Sequence, residues 1–373
     1  MKTYDLDHAA TTKLDPKVYS KMKPYLETYY GNPSSLHTIG IENKKALNDA
    51  KKGVARLLNC DYKELIFTGS GTEAINLAIK GLAFKYPNKK EIITTKIEHK
   101  ATLNTCHFLE TLGYKINYVN LDPDGFIDLK DLEGKLNNNT LIVSIIWGNN
   151  EIGVIQDIDK IAEIVHAHHS ILHVDAVQML GHFKIDLQAL DVDLMSFSAH
   201  KIFGPKGVGL LYKKKPIEIE PIIHGGAQEF NLRAGTENIY GIIGFYEALK
   251  NVHDVYLNQQ QDLKDTTKYL YDQLKARFKF RLNGPDLNNH RLPGLLSLSF
   301  EGISGHVLQY QLNQRGIYVS TGSACNETSM EVSHVIQALH DHGEGTIRLS
   351  LGYGLSSKDI LYIVEQFSDI LEN

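Results

Sequence analysis

The chain has 373 residues, 42% of them hydrophobic and 22% charged, and a formal net charge of −5. This length predicts two domains, and the slightly acidic balance argues against a surface built for nucleic acid or anionic membranes. The three cysteines, the polar N-terminal segment and the lack of an apolar run of membrane length in the sequence lead us to expect a soluble protein of the cytoplasm.

Short apolar runs alternate with segments of helical periodicity from about residue 45 to about residue 250, which is typical of an α/β protein. Helices are predicted between the runs, for example at 72–80 and 158–168. Seven strands are predicted in this part of the chain, at 64–67, 91–94, 115–119, 140–146, 171–174, 192–197 and 209–212.

The pattern changes after Tyr240. A long polar helical region at 251–278 is followed by a strand within 291–300 and a helix at 306–315. These elements predict a second, smaller α+β domain, which the first dozen residues would complete.

The first predicted strand is followed by a glycine-rich turn, Thr-Gly-Ser-Gly-Thr at 68–72, where a helix begins. Backbone N–H groups at a helix N-terminus form an anion site, and Gly71 and Thr72 are the residues placed to use it. The spacing matches neither the dinucleotide fingerprint nor a P-loop. From the residues alone, a phosphate site and an ordinary glycine turn explain the sequence equally well.

Two later strand ends carry polar side chains suited to a flat ligand. His99 follows the second strand, where an imidazole could stack on a ring and move protons near neutral pH, although a helix-capping role explains it as well. Asn149 and Asn150 follow the most apolar strand and could bind a substrate carboxylate or a ring oxygen. Turn chemistry alone is the alternative for these asparagines.

Asp175 lies at the tip of a buried strand, where an unpaired carboxylate is costly. A protonated pyridine nitrogen would stabilise it, and an aspartate there keeps such a cofactor an electron sink. Gln178 would project to the same side from the first turn of a helix and reach the phenolic oxygen. A structural salt bridge is the alternative for Asp175.

The sequence Ser-Ala-His-Lys at 198–201 stands between a buried run and a glycine-rich turn. A lysine at the end of a strand, flanked by phosphate-binding side chains, is the arrangement that a Schiff base with pyridoxal phosphate requires. Its ammonium must lose a proton to attack an aldehyde, which cationic neighbours and desolvation favour. Lys201 is therefore the predicted attachment point, with Ser198 and His200 beside it.

The remaining candidate residues are an arginine and a cysteine near the C-terminus and a group of histidines in the middle of the chain. Arg348, on a predicted short strand, could clamp an α-carboxylate, or could form a surface ion pair. Cys325 lies among small polar residues and could act as a nucleophile on a mobile tether, or could be a bystander thiol. No metal site is expected, because the histidines that resemble one straddle a helix end, at 166, 168, 169 and 173.

Together these segments resemble the cysteine desulfurases of the NifS/IscS type, within the fold type I pyridoxal-phosphate enzymes. The resemblance runs through nearly the whole chain, and its motifs lie at 6–12, 31–35, 72–73, 98–100, 149–153, 173–178, 198–207, 233–236, 322–325 and 348–350. It implies an α/β fold with a mostly parallel seven-stranded sheet in a large cofactor domain at 13–255. A smaller α+β domain would comprise 1–12 and 256–373.

The resemblance also implies a role for each candidate residue. Lys201 would hold pyridoxal 5′-phosphate, and Cys325 would attack the substrate sulfur. The remaining cofactor contacts would come from His99, Asn150, Asp175 and Gln178 around the ring and from Gly71, Thr72, Ser198 and His200 at the phosphate. Thr236 would reach the phosphate from the second subunit of a homodimer. The substrate carboxylate would be held by Asn32, Asn150 and Arg348.

The implied reaction converts L-cysteine to L-alanine and leaves the sulfur on Cys325 as a persulfide. The sulfur would then pass to an acceptor protein, either an iron–sulfur scaffold or a tRNA-thiolating enzyme. The small or polar residues around Cys325 fit the long loop of the IscS-like group. The alternatives are a class V aminotransferase, a selenocysteine lyase and a non-catalytic sulfur-relay scaffold.

Overall fold

The computed structural model describes residues 2–321, 332–340 and 343–372. Helix starts near the strand ends are set by side-chain caps: Ser70 accepts the Glu73 N–H, and His99 accepts the Ala101 N–H. The strands of the described residues are β1 (Tyr4–Asp5), β2 (Leu65–Thr68), β3 (Glu91–Thr95), β4 (Lys115–Val119), β5 (Thr140–Ile146), β6 (Ile171–Asp175), β7 (Leu194–Ser198), β8 (Gly209–Lys213), β9 (Phe280–Leu282), β10 (Leu295–Phe300), β11 (Ile317–Tyr318) and β12 (Thr346–Ser350). The helices are α1 (Pro16–Glu27), α2 (Thr38–Leu58), α3 (Gly71–Lys85), α4 (Lys100–Glu110), α5 (Leu129–Lys135), α6 (Ile158–Ala167), α7 (Gln228–Asn231), α8 (Ile239–Asp254), α9 (Gln260–Lys275), α10 (Gly305–Gln314), α11 (His334–Leu339) and α12 (Ser357–Leu371).

A seven-stranded sheet organises the larger part of the molecule, in the order β2-β8-β7-β6-β5-β3-β4. β4, β3, β5, β6 and β7 run parallel, and only β8 is antiparallel to both of its neighbours. Every residue of β5 is buried, as expected for a strand covered on both faces. The predicted α/β fold with a mostly parallel seven-stranded sheet is confirmed.

The parallel strands share one carboxyl edge, and this edge positions the candidate site. β3, β5, β6 and β7 end just before or at the polar residues singled out in the sequence. In open α/β sheets, ligands bind in the crevice outside the carboxyl ends of such strands. The sheet topology therefore gathers residues that lie as far apart in the sequence as His99 and Lys201, with Asn150 and Asp175 between them.

A second, three-stranded antiparallel sheet has the order β12-β10-β9 and packs with α9, α10 and α12 around its own apolar cluster. Tyr4 and Leu6 belong to this cluster, and β1 pairs in parallel with β11 through Tyr4 and Ile317. The N-terminal segment thus packs with the C-terminal part of the chain. This packing supports the division into 13–255 and 1–12 with 256–373, whose boundaries stay a prediction.

The structure corrects the predicted helical region at 251–278. α8 ends at Asp254, a short 3₁₀ turn follows at Tyr256–Gln259, and α9 begins at Gln260. The break has a packing reason: α8 buries its apolar face in the core of the large sheet, whereas α9 contributes to the core of the smaller one. A single straight helix cannot serve both cores.

Smaller differences concern the ends of elements. The strand predicted within 291–300 begins only at Leu295, because Pro293 lacks a backbone donor and Gly294 has φ of +83°. Glu64, predicted to open the first strand, lies instead in a 3₁₀ turn that Asp61 caps. None of the helices in the described part of the chain is long and apolar enough to cross a membrane.

Candidate active site

A cavity of about 270 Å³ opens at the carboxyl edge of the large sheet. The sequence-predicted residues that line it are Gly71, Thr72, His99, Asn150, Asp175, Gln178, Ser198, His200, Lys201 and Arg348. A wider groove of about 780 Å³ beside Trp147 contains none of the predicted residues. The chain therefore assembles one polar cavity from residues that its sequence scatters over nearly 280 positions.

The turn between β2 and α3 lines part of the cavity. The Ser70 hydroxyl accepts the Glu73 N–H at 3.0 Å, and the Glu73 carboxylate accepts the Gly69 N–H at 2.8 Å. A Cβ at Gly71 would come within 2.9 Å of the Val177 side chain and 3.3 Å of the Ser198 Cβ, so a larger residue there would displace these neighbours. The turn is held by its own residues, and the N-terminus of α3 offers an anion site.

His99 both caps α4 and lines the cavity, so the two interpretations of this residue are compatible. Its Nδ1 accepts the Ala101 N–H at 3.1 Å, which leaves the proton of the neutral ring on Nε2. Burial, followed by the positive charge of Lys201, lowers the pKa of His99 to about 4. The ring is therefore neutral at physiological pH and offers Nε2–H as a donor.

Asp175 is buried at the end of β6. Its Oδ1 accepts the Val177 N–H at 3.0 Å, and it forms no salt bridge with any residue in the described ranges. Burial raises its pKa to about 6, partly offset by the Val177 N–H and the charge of Lys201. The structural salt bridge considered for this carboxylate is thus not present in the described part of the chain, and a cationic ligand group would stabilise it.

Lys201 closes a 3₁₀ turn after β7 and reaches back to the N-terminal segment. Its Nζ donates to the carbonyl oxygens of Ala9 at 2.6 Å and Ala10 at 2.8 Å. The amide of Gln178 also donates to the Ala9 carbonyl, at 2.8 Å. Gln178 lies in a turn rather than in a helix, because Gly181, at φ +103°, ends the turn before a helix can form.

His200 precedes Lys201 in the same turn and also lines the cavity. Its Nδ1 is 3.1 Å from the Thr11 hydroxyl, another contact between this turn and the N-terminal segment. Burial, followed by the charges of Lys201 and Lys206, lowers its pKa to about 4. Like His99, it is a neutral hydrogen-bonding group at physiological pH.

Arg348, on β12, is the charged side chain that the smaller sheet contributes. It is 2% exposed, its Nη2 is 2.6 Å from Asp7 Oδ1, and its Nη1 donates to the Asn150 carbonyl at 3.0 Å. An ion pair exists as one interpretation predicted, but only its Asp7 carboxylate is partly exposed, and the Arg348 guanidinium is buried beside the cavity. The guanidinium joins the smaller sheet to the loop that carries Asn150.

Three predicted residues are not brought into the cavity by the described chain. Asn32 is exposed, and its Oδ1 accepts the Ser34 N–H at 2.9 Å, so this side chain stabilises its own turn. Thr236 is exposed in a different cavity, beside Gly69 and Arg233. Cys325 lies outside the described residues. Their roles stay predictions.

The structure also adds residues that the sequence analysis missed. His334, at the start of α11, lines the cavity, as do the backbone of Ala9 and Ala10 and the buried Glu151. Burial raises the pKa of Glu98, next to His99, to about 8. A histidine directly after a capping serine was the available signal for His334, but that pattern alone does not distinguish a site residue from a surface one.

Two of the four histidines that resemble a metal site in the sequence form hydrogen bonds elsewhere. His166 contacts Asp191 and Asp193, each at 2.9 Å, whereas His173 is fully buried between Ser144 and Ser196. Over residues 2–321, 332–340 and 343–372, no group of histidine, cysteine, aspartate and glutamate side chains is arranged to hold a metal ion.

Comparison with known proteins identifies relatives over the whole length of the chain. The family model "Aminotransferase class-V" matches residues 4–363. The chain is 42% identical over 372 residues to "Cysteine desulfurase IscS" of Dictyoglomus turgidum, an alignment that covers 98% of this chain and 94% of that protein. It is 41% identical to "Cysteine desulfurase IscS" of Methanosarcina thermophila, over 100% of this chain and 92% of that protein.

Solved structures give the same result. A "NIFS-LIKE PROTEIN" superimposes with a TM-score of 0.93 at 36% identity, over 100% of both chains. The structure "SspA in complex with cysteine" superimposes with a TM-score of 0.82 at 32% identity, over 94% of this chain and 99% of that one.

Proposed function

The chain belongs to the class-V aminotransferase family and, within it, to the cysteine desulfurases, and on that premise we propose that it converts L-cysteine to L-alanine with pyridoxal 5′-phosphate as cofactor and retains the sulfur as a persulfide on Cys325. The observation that carries this proposal is the single cavity that joins Lys201, Asp175 and the N-terminus of α3. The lysine supplies an amine, the aspartate a buried carboxylate, and the helix N-terminus an anion site.

The donor set fits this cofactor at three chemically different points. Lys201 would hold its aldehyde carbon, and Asp175, which has no salt bridge among the described residues, would pair with the pyridine nitrogen. The N-terminus of α3 would receive the phosphate, at Gly71 and Thr72. Bound there, pyridoxal phosphate would withdraw electrons from the substrate α-carbon.

The remaining cavity residues complete this binding arrangement. Gln178 would contact the phenolic oxygen, and the neutral His99 ring would stack on the cofactor and offer Nε2–H as a donor. Ser198 and His200 would add contacts to the phosphate. Thr236, exposed away from the cavity of its own chain, would contribute from the second copy in a homodimer.

The substrate would be oriented from the smaller sheet. Arg348, with Asn150 and Asn32, would bind its α-carboxylate, because a guanidinium presents paired donors to two oxygens. The lysine amine, held between the Ala9 and Ala10 carbonyls, would move the α-proton. The Cys325 thiolate would form the S–S bond as the C–S bond breaks, and the electron pair left on carbon would be protonated to give alanine.

A direct experiment tests this proposal. The purified holoenzyme is incubated with L-cysteine, alanine is quantified, and the chain is digested and analysed for one additional sulfur atom on Cys325. Alanine formation and labelling of Cys325 are expected, and both are expected to be lost in Cys325→Ser. Undiminished alanine formation by Cys325→Ser with a physiological reductant would overturn the assignment of the nucleophile.

Three further proposals concern the sulfur acceptor, the oligomeric state and the cellular compartment. We propose a homodimer that acts in the cytoplasm and passes sulfur to an iron–sulfur scaffold or to a tRNA-thiolating enzyme. Transfer of ³⁵S from cysteine to a co-purified acceptor tests the recipient, and sedimentation velocity tests the dimer. Turnover of selenocysteine beside cysteine distinguishes a desulfurase from a selenocysteine lyase.

A further inference from the structure

α11 is docked directly on the wall of the candidate active site. Its first residues follow the segment that carries Cys325 in the sequence, and His334 lines the cavity. Val335 and Ile336 pack with Ile97 and Ile152 in a small apolar cluster of their own. The helix therefore contacts the turn before His99 and the loop that contains Asn150.

Two hydrogen bonds fix the N-terminus of α11 to these same segments. The Ser333 hydroxyl caps the helix by accepting the Val335 N–H at 3.1 Å and donates to the carboxylate of the buried Glu151. His334 Nε2 lies 2.9 Å from the carbonyl oxygen of Glu98, the residue that precedes His99. Ser333 thus holds the loop that contains Asn150, and His334 holds the turn that precedes His99.

The bond to Glu98 determines the tautomer of His334. A carbonyl oxygen can only accept, so Nε2 must carry the proton, and in the neutral ring Nδ1 is then an acceptor. Nδ1 is buried and has no hydrogen-bond partner in the described part of the chain. Among the described residues, the hydrogen bond from Nε2 to Glu98 is therefore the one that holds this ring.

We propose that His334 is a positioning residue for His99: by donating Nε2–H to the Glu98 carbonyl, it fixes the peptide unit from which the His99 ring extends into the cavity. This rests on the proposed function, in which His99 contacts the cofactor ring. The carbonyl of the Glu98–His99 peptide accepts its side-chain hydrogen bond from His334 of α11. His99 is also restrained by the cap that its Nδ1 provides to α4 and by the Thr102 and Leu103 N–H groups, which donate to its own carbonyl.

Removal of His334 would therefore release the Glu98–His99 peptide from α11 and change the orientation of the His99 ring in the cavity. A residue that merely stabilised the fold would not change the orientation of His99 while the fold stays intact.

Two substitutions separate positioning from general stability. His334→Gln keeps an N–H donor, whereas His334→Leu keeps bulk and loses the donor. We expect His334→Leu to lower kcat for alanine formation about tenfold with KM for cysteine changed less than about twofold, because misplacing a group near the reacting atoms costs rate more than binding. Gln337→Ala, an exposed position on the same helix, is the control and keeps wild-type kinetics.

His334→Gln is expected within about threefold of the wild-type kcat, since it restores the donor. The visible cofactor band and the unfolding temperature should be retained in all three variants, and the NMR chemical shifts of the His99 ring should change in His334→Leu but not in Gln337→Ala. Equal loss in His334→Gln and His334→Leu, or wild-type kcat in His334→Leu, would overturn the proposal.

A measurement on the unmodified holoenzyme decides the matter if a variant does not fold. In ¹³C,¹⁵N-labelled protein, the His334 ring signals, assigned through their correlations to the backbone of the same residue, should show a protonated Nε2 and an unprotonated Nδ1 in the neutral ring. A protonated Nδ1 with a bare Nε2 would refute the bond to Glu98. Wild-type protein that forms no alanine from cysteine would instead refute the proposed function, so the two failures are distinguishable.

Discussion

Gly209 offers the sharpest steric test of the proposal that the turn between β2 and α3 binds the cofactor phosphate. It opens β8, between Thr68 of β2 and Ser198 of β7. A Cβ at this position would lie 2.3 Å from the carbonyl carbon of Ser70, 2.4 Å from its oxygen and 2.7 Å from the Gly71 nitrogen. These are backbone atoms, so no side chain can rotate away to relieve the contact.

Gly209→Ala must therefore push the Ser70–Gly71 peptide by about 1 Å, and a misplacement of that size costs about 10²-fold where groups must be precisely held. We expect the Kd for pyridoxal phosphate to rise about tenfold to a hundredfold, with a loss of about 1–3 kcal/mol in unfolding free energy from overpacking. The assay is titration of the apoprotein with pyridoxal phosphate, followed by absorbance, well below the unfolding temperature.

Gly134→Ala is the matched control, because a Cβ at Gly134 on α5 has no neighbour within 4 Å. It should bind the cofactor like the wild type and be at least as stable, since alanine favours a helix. Cofactor affinity of Gly209→Ala within about threefold of the wild type, less than about 0.7 kcal/mol, would refute the assignment of this turn to the phosphate.

Other parts of the structure give independent predictions. Arg348→Lys should raise KM for cysteine about tenfold to a hundredfold with a smaller change in kcat, because a lysine cannot present paired donors; an unchanged KM in steady-state kinetics would argue against the carboxylate clamp. Lys51 and Glu229 form a buried ion pair at 2.5 Å, so Lys51→Met should cost about 3–5 kcal/mol in urea unfolding by leaving a buried carboxylate uncompensated. Adding Glu229→Leu should recover much of that loss, and no recovery would contradict the explanation. The bond to Asp193 is the largest cause that raises the pKa of His166 above 6.5, so its stabilisation is complete below that value and lost as pH rises through the raised pKa. The unfolding temperature of His166→Gln should therefore fall below that of the wild type at about pH 6 and approach it at about pH 9, and an equal deficit at both pH values would exclude this linkage.

The features that the sequence predicted best are those that the parallel sheet alone determines, namely the site residues at the ends of strands. His99, Asn150, Asp175 and Lys201 each follow a strand, and parallel strands bring their carboxyl ends to one edge. The apolar runs were sufficient to place these residues at the ends of strands, and the structure then showed the edge that they share. The residue types then indicated the chemistry, and the resemblance assigned the roles.

What the sequence could not show depends on contacts between distant segments. The Ala9 and Ala10 carbonyls meet Lys201 only because the N-terminal segment crosses to the large sheet, and backbone acceptors have no signature in a sequence. His334 reaches the cavity because α11 packs on Ile97 and Ile152. Such packing is set by the fold as a whole, so no local pattern around residue 334 reveals it.

The central claim is that the cavity around Lys201 releases sulfur from cysteine and that Cys325 retains this sulfur as a persulfide. The most direct test is a single turnover of the holoenzyme with ³⁵S-labelled L-cysteine, with alanine quantified and the labelled peptide identified by mass spectrometry. The account predicts one alanine for each ³⁵S bound, with the label on the peptide that contains Cys325, and no alanine from Lys201→Ala. Alanine without protein-bound label, or label on Cys60 or Cys106 instead, would contradict it.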